Sequence, residues 1–181
     1  MKKILLIALI SFLGAKTAFA FHDVTKFDIQ GFRLGMTVDE VKKKKPDLEI
    51  TKAVLPSGEV VGYYALYKKL LLRFTSDKKG AWLFFIVKYD MYRKTPDPYP
   101  IFTALTRKYG MPDYSGRDMW NIHACWGKCF GNHKQLKFTL KIAGIKGGFP
   151  LNVTLQDPGE DSINWQYFDL DSKIRSLAMK K

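Results

Sequence analysis

Apolar spacing along the chain switches between helical and alternating patterns, and turn residues mark the switches. Thr37 with Glu40 three residues later is the spacing of a capping box, and Val38 and Val41 supply an apolar face, predicting a short helix over 38–45. Pro46 stops it, and Lys42, Lys43, Lys44 and Lys45 stand at the end where cations suit the helix dipole. Strand-like runs follow over 60–67, 70–75 and 82–89, with turn chemistry at 76–80. Beyond the proline-rich stretch 95–100, a second helix is predicted over 101–109, ended by Gly110. Leu136, Phe138, Leu140 and Ile142 then alternate with Lys137, Thr139 and Lys141, which gives one packed and one wet face. A further strand is predicted over 151–155. A third helix over 162–179 places Ile163, Tyr167, Leu170, Ile174 and Leu177 on one stripe, expected to pack on the chain's own sheet.

The order repeats. Leu70 follows Pro46 by 24 residues, and Leu136 follows Pro112 by the same 24. The expected fold is therefore α+β, with helices packed on antiparallel sheet. It comprises two degenerate helix plus three-strand units at about 27–95 and 97–157, then the C-terminal helix, all within one domain over 21–181.

The segment before that domain changes the setting. Lys2 and Lys3 precede an apolar run over 4–13, and Ala18-Phe19-Ala20 offers small residues for cleavage, the layout of a secretory signal peptide cut near Ala20. No Cys follows the run, so the acylated cysteine of a lipoprotein is missing, and a freely soluble periplasmic or secreted product is expected. Without the signal 161 of 181 residues remain, and the loss of Lys2, Lys3 and Lys16 lowers the formal charge from +13 to +10. An exported chain that basic meets anionic lipid, envelope polysaccharide or an acidic protein rather than nucleic acid, unless the excess serves solubility alone. No later apolar run approaches membrane-spanning length, so the mature chain is not expected to be transmembrane.

Cys125 and Cys129 are the only cysteines. An even count in an exported chain favours a disulfide, here across the short Gly-containing loop Trp126-Gly127-Lys128. The alternative is a metal site, because His123, Cys125, Cys129 and His133 form H-x-C-x3-C-x3-H; the spacing is not that of a standard zinc module, and an oxidised pair offers no thiolates. Ser76-Asp77-Lys78-Lys79 matches S-x-x-K but lies in a turn without its companion motifs. No phosphate loop, zincin motif, nucleophile elbow or dinucleotide fingerprint is present, and no cofactor is expected. Asn152-Val153-Thr154 fits a glycosylation sequon, and an alternating strand explains it equally well.

The run Phe32-Arg33-Leu34-Gly35-Met36-Thr37-Val38-Asp39-Glu40-Val41, a helix-ending proline and then Leu71-Leu72-Arg73-Phe74-Thr75-Ser76-Asp77-Lys78-Lys79-Gly80 resemble the small envelope proteins of the BamE/SmpA type and the related β-lactamase-inhibitor-protein domain. The resemblance covers about 27–90, with a looser echo over 97–157. It implies a helix-on-antiparallel-sheet core and protein recognition without catalysis. Two departures stand beside it: the lipoprotein cysteine is absent, and a second unit is more similar to the inhibitor arrangement than to BamE.

These readings converge on a non-enzymatic exported protein-binding module, an envelope assembly factor or an inhibitor of a secreted hydrolase. The glycine-rich loop 144–150 exposes Ile145, Lys146 and Phe149 as candidate partner contacts, with Trp126 and Lys128 from the cysteine loop beside them. The alternative is an anionic envelope ligand held by a lysine-rich face at Lys42, Lys43, Lys44 and Lys45.

Overall fold

The computed structural model describes residues 21–76, 80–141, 148–160 and 165–179. Residues 1–20, where a signal peptide is expected, and Lys78, Lys79, Ile145, Lys146 and Ile163 lie outside the described residues. The chain builds one eight-stranded antiparallel sheet: β1 (Thr51–Val54), β2 (Val60–Tyr67), β3 (Leu70–Phe74), β4 (Leu83–Tyr92), β5 (Tyr114–Arg117), β6 (Asn121–Gly127), β7 (Gln135–Lys141) and β8 (Phe149–Gln156). Three short helices accompany it, α1 (Val38–Lys44), α2 (Tyr99–Tyr109) and α3 (Leu170–Met179).

This corrects the expected architecture. The strands run β1-β2-β3-β4-β8-β7-β6-β5 as a single sheet, so the fold is not a pair of helix plus three-strand units covered by helices. Each half of the chain contributes four strands, and the last strands of the two halves pair along a central seam from Phe85 opposite Gln156 to Tyr92 opposite Phe149. The missed strands have physical reasons. In β1 only Ala53 is buried, and β5, Tyr-Ser-Gly-Arg, has no buried residue, so neither edge strand shows an apolar alternation. β6 does alternate Ile122, Ala124 and Trp126, but the glycine and cysteines at its end give the signal of a loop.

The helices form where local chemistry supports them. Thr37 Oγ1 accepts from the Glu40 amide, and Glu40 accepts from the Thr37 amide at 2.8 Å, completing the capping box of α1. The α2 helix ends at Gly110, whose φ of 84° suits glycine. α3 starts at Leu170, later than predicted, after a 3-10 turn at Trp165–Phe168 and a left-handed Asp169 at φ 47°. Tyr167, expected on the packed stripe, is exposed, while Leu170, Ile174 and Ala178 are buried.

The two sheet faces are covered unequally. On one face Leu72, Phe74, Ile86, Phe138, Leu140 and Leu155 form the main core with Val41 of α1 and with Phe27, Phe32 and Leu34 of the N-terminal segment. Ile101, Phe102, Leu105 and Tyr109 of α2 pack on the same cluster. On the other face α3 covers the first half alone, where Leu71, Phe84, Val87 and Tyr89 meet Trp165, Leu170 and Ile174. Arg73 belongs to this second layer: its guanidinium lies 4.4 Å from the Phe85 ring and 5.2 Å from Trp165, and it pairs with Asp171 at 3.6 Å. Among the described residues no helix is long and apolar enough to cross a membrane.

Asp113 ties the N-terminal segment to the sheet. Its carboxylate accepts from the amide of His22, from the His22 ring at 2.8 Å and from the Gly127 amide at 2.7 Å. Burial opposes its ionisation, but these hydrogen bonds outweigh burial and hold the carboxyl below its usual value. Because the folded value is the lower one, the latch contributes fully above the unfolded-state pKa and is lost as pH falls through the folded value. Asp113→Asn is expected to cost about 2 kcal/mol at neutral pH and to flatten the acid limb of the stability curve; urea melts from pH 7 to 3 measure both, and an unchanged acid limb would reject the latch.

Candidate functional site

Alternation leaves β7 and β8 with one polar face, and α3 does not extend over it. Register sets the floor of the resulting groove in two rows across the sheet. Tyr114, Cys125, Lys137, Thr154 and Val87 stand opposite one another in one row, and Gly116, His123, Thr139, Asn152 and Tyr89 in the next. Near α3 the groove has a volume of about 300 Å³, with Tyr89, Lys137, Asn152 and Arg175 among its walls. Toward the β5 edge it widens to about 440 Å³ between Tyr114, His123, Phe130 and the cysteines. Lys137 and Thr139 line both parts.

Lys137, Arg175, Asp118 and Asp171 are the charged side chains of the groove. The carboxylates that line it are already engaged: Asp118 accepts from the Trp120 and Asn121 amides at 2.9 and 2.7 Å in the β5–β6 turn, and Asp171 pairs with Arg73. Lys137 has no carboxylate within ion-pair distance among the described residues, and burial pushes its ammonium below the usual lysine value. By contrast Lys69 and Lys88 both reach Asp90 at 3.0 Å; burial resists that carboxyl's ionisation, and the two lysines override it.

Two polar atoms of groove-lining side chains lack hydrogen-bond partners among the described residues. Asn152 Oδ1 and the Tyr89 hydroxyl are buried and make no hydrogen bond, and burial, reinforced by Asp171, raises the Tyr89 pKa despite Arg175. Both side chains line the groove, while these two atoms are themselves closed to solvent.

The outer wall is aromatic and braced. Tyr114 stacks on His123 with ring centroids 5.4 Å apart, and Phe130 meets the edge of Tyr114 at 5.2 Å. Phe130 is 73% exposed. It directly follows the disulfide joining Cys125 to Cys129, whose Cα atoms are 5.8 Å apart, so a closed loop fixes the point from which the ring projects.

The candidate residues read from the sequence fall elsewhere or on the margin. Trp126, expected to meet a partner, is fully buried on the opposite face and donates its ring N–H to the Gly110 carbonyl at 2.8 Å; it is a core residue, and its assignment as a contact is corrected. Lys128 is exposed, and Phe149 is half-buried at the start of β8 opposite Tyr92. Ile145 and Lys146 lie outside the described residues. The lysine run is on α1, across the sheet from the groove; Lys44 donates to the Gly31 carbonyl at 2.8 Å and Lys45 stands over Tyr67, while Lys42 and Lys43 are exposed. His123, His133 and the cysteines do not converge as a ligand group, and no cluster of three metal-binding side chains occurs among the described residues. Lys137, Tyr114 and Phe130 carry no motif in the sequence, and Asn152 stands out there only as part of the sequon. The alternation over 136–142 marked Lys137 and Thr139 as outward-facing, but only the β7–β8 pairing brings Asn152 beside them.

No protein-family model, no curated protein and no solved structure matches the chain.

Proposed function

We propose that the chain is a non-catalytic binding protein of the bacterial envelope whose ligand is anionic and lies across the open half of the sheet. The observation that carries this reading is Lys137, a partly buried cation on the groove floor with no carboxylate partner among the described residues. Holding an ammonium in that position without a counter-charge costs stability, and an anionic ligand offsets the cost. Support for binding over catalysis comes from the engaged state of the neighbouring acids and from His123, whose ring is stacked on Tyr114. The anion reading that the sequence attached to the α1 lysines is thereby moved to the other side of the sheet.

The test is amide chemical-shift mapping with acetate and inorganic phosphate as probes. Shifts are expected to centre on Lys137, Thr139 and Asn152, to shrink steeply between low and moderate salt, and to fall about tenfold in affinity in Lys137→Met. Replacing Lys42 and Lys43 by Ala is expected to leave them unchanged. Shifts centred on α1, or binding indifferent to Lys137→Met, would reject the groove.

A further inference from the structure

We infer that the groove takes a carboxylated sugar, a deeper statement of the anion-binding reading and resting on it. A bare anion leaves part of the floor unmatched. Lys137 calls for negative charge, while Thr139, Asn152 and Thr154 beside it present hydroxyl and amide groups that pair with hydroxyls rather than with a second charge. A ligand that carries a charge and several hydroxyls together matches this floor.

Register sets their separation. Lys137 stands opposite Thr154, and Asn152 is two residues along β8 on the same face, a diagonal of roughly 7 Å between backbone positions. A pyranose ring with an exocyclic carboxylate presents acid and hydroxyl groups over that span. Thr139 and Thr154 line the same floor and match further hydroxyls in either sense, since each both donates and accepts.

The outer wall gives an independent indication. Tyr114 is 41% exposed and Phe130 73% exposed, and the two rings stand at 71° to each other beside the lysine. Exposed aromatic faces next to a polar floor suit a ligand with an apolar C–H surface and a hydroxylated rim, which is the two-sided character of a sugar ring. A flexible acidic peptide would satisfy the charge but pays more ordering entropy on this short floor than a rigid ring does.

Calorimetric titration of the intact, oxidised protein with a glucuronic-acid disaccharide, cellobiose, acetate and inorganic phosphate tests the inference. The acidic disaccharide is expected to bind at least tenfold more tightly than cellobiose, acetate or phosphate. Phe130→Ala and Tyr114→Ala are each expected to weaken it about fivefold while leaving phosphate unaffected, and both rings are exposed enough for the variants to fold. Asn152→Leu is expected to weaken the disaccharide more than it weakens acetate. Equal affinities for acetate and disaccharide, or insensitivity to both aromatic substitutions, would overturn the sugar and leave an anion site; absence of binding by every anion would overturn the anion site as well.

Discussion

Trp126→Ala is expected to cost about 4 kcal/mol of folding stability. The side chain is fully buried in the larger core layer, edge-on to Tyr109, with its ring N–H on the Gly110 carbonyl that ends α2. Truncation removes the largest side chain among those fully buried and leaves a cavity between β6 and α2. Against a total of roughly 5–15 kcal/mol for a domain, that loss brings the protein close to unfolding at 37 °C. Trp126→Phe separates the contributions: it keeps most of the packing and loses one hydrogen bond to an exposed glycine, so about 1–2 kcal/mol is expected. Denaturant melts of the two variants provide the measurement. Near-wild-type stability of the alanine variant would mean that Trp126 does not hold this layer together.

Gly127→Val is expected to cost about 4 kcal/mol, by strain rather than by loss of contact. Gly127 adopts φ of 87°, and a Cβ there would stand 2.7 Å from the Lys134 carbonyl oxygen and 3.0 Å from Val24. The nearer obstacle is backbone, held by the β6–β7 ladder through the Gly127 pairing with Gln135, so it cannot swing aside. The same residue donates its amide to Asp113, so displacement also loosens the N-terminal latch. Thermal melting is expected to fall by roughly 10 °C, while Lys128→Ala, at the exposed neighbour, stays within about 0.5 kcal/mol of wild type. Equal behaviour of the two variants would reject the close approach at Gly127.

These two residues also show how far the sequence could be read. Gly127 was visible as a turn residue between cysteines, because glycine spacing is a local property. Trp126 was placed in the same loop for the same reason, although its period-two relation to Ile122 and Ala124 assigns it to a strand face. Capping at Thr37 and Glu40, the stop at Gly110 and the bounds of β2 were legible because each depends on residues within a few positions of one another. What escaped was pairing between distant segments. Nothing near Lys137 in the chain indicates that β8 lies beside it, or that α3 covers β4 and stops short of β7. The groove is a product of strand order. Its floor was half visible as the wet side of an alternating strand, and its aromatic wall, on edge strand β5 and after the disulfide, was not visible at all, since exposed residues leave no periodic trace.

Strand order has a consequence for synthesis as well. The seam joins β4 to β8, which are separated by the whole of α2 and three further strands. Until the chain has delivered Phe149–Gln156, β4 and β7 each have one unpaired side, and these strands carry the core residues Ile86, Phe138 and Leu140. An incomplete chain therefore presents two long, apolar, adhesive edges, the kind of surface that recruits chaperones or seeds aggregation. The finished sheet leaves only the four-residue strands β1 and β5 at its margins. Completion of the last strand is thus what turns a sticky polypeptide into a quiet one.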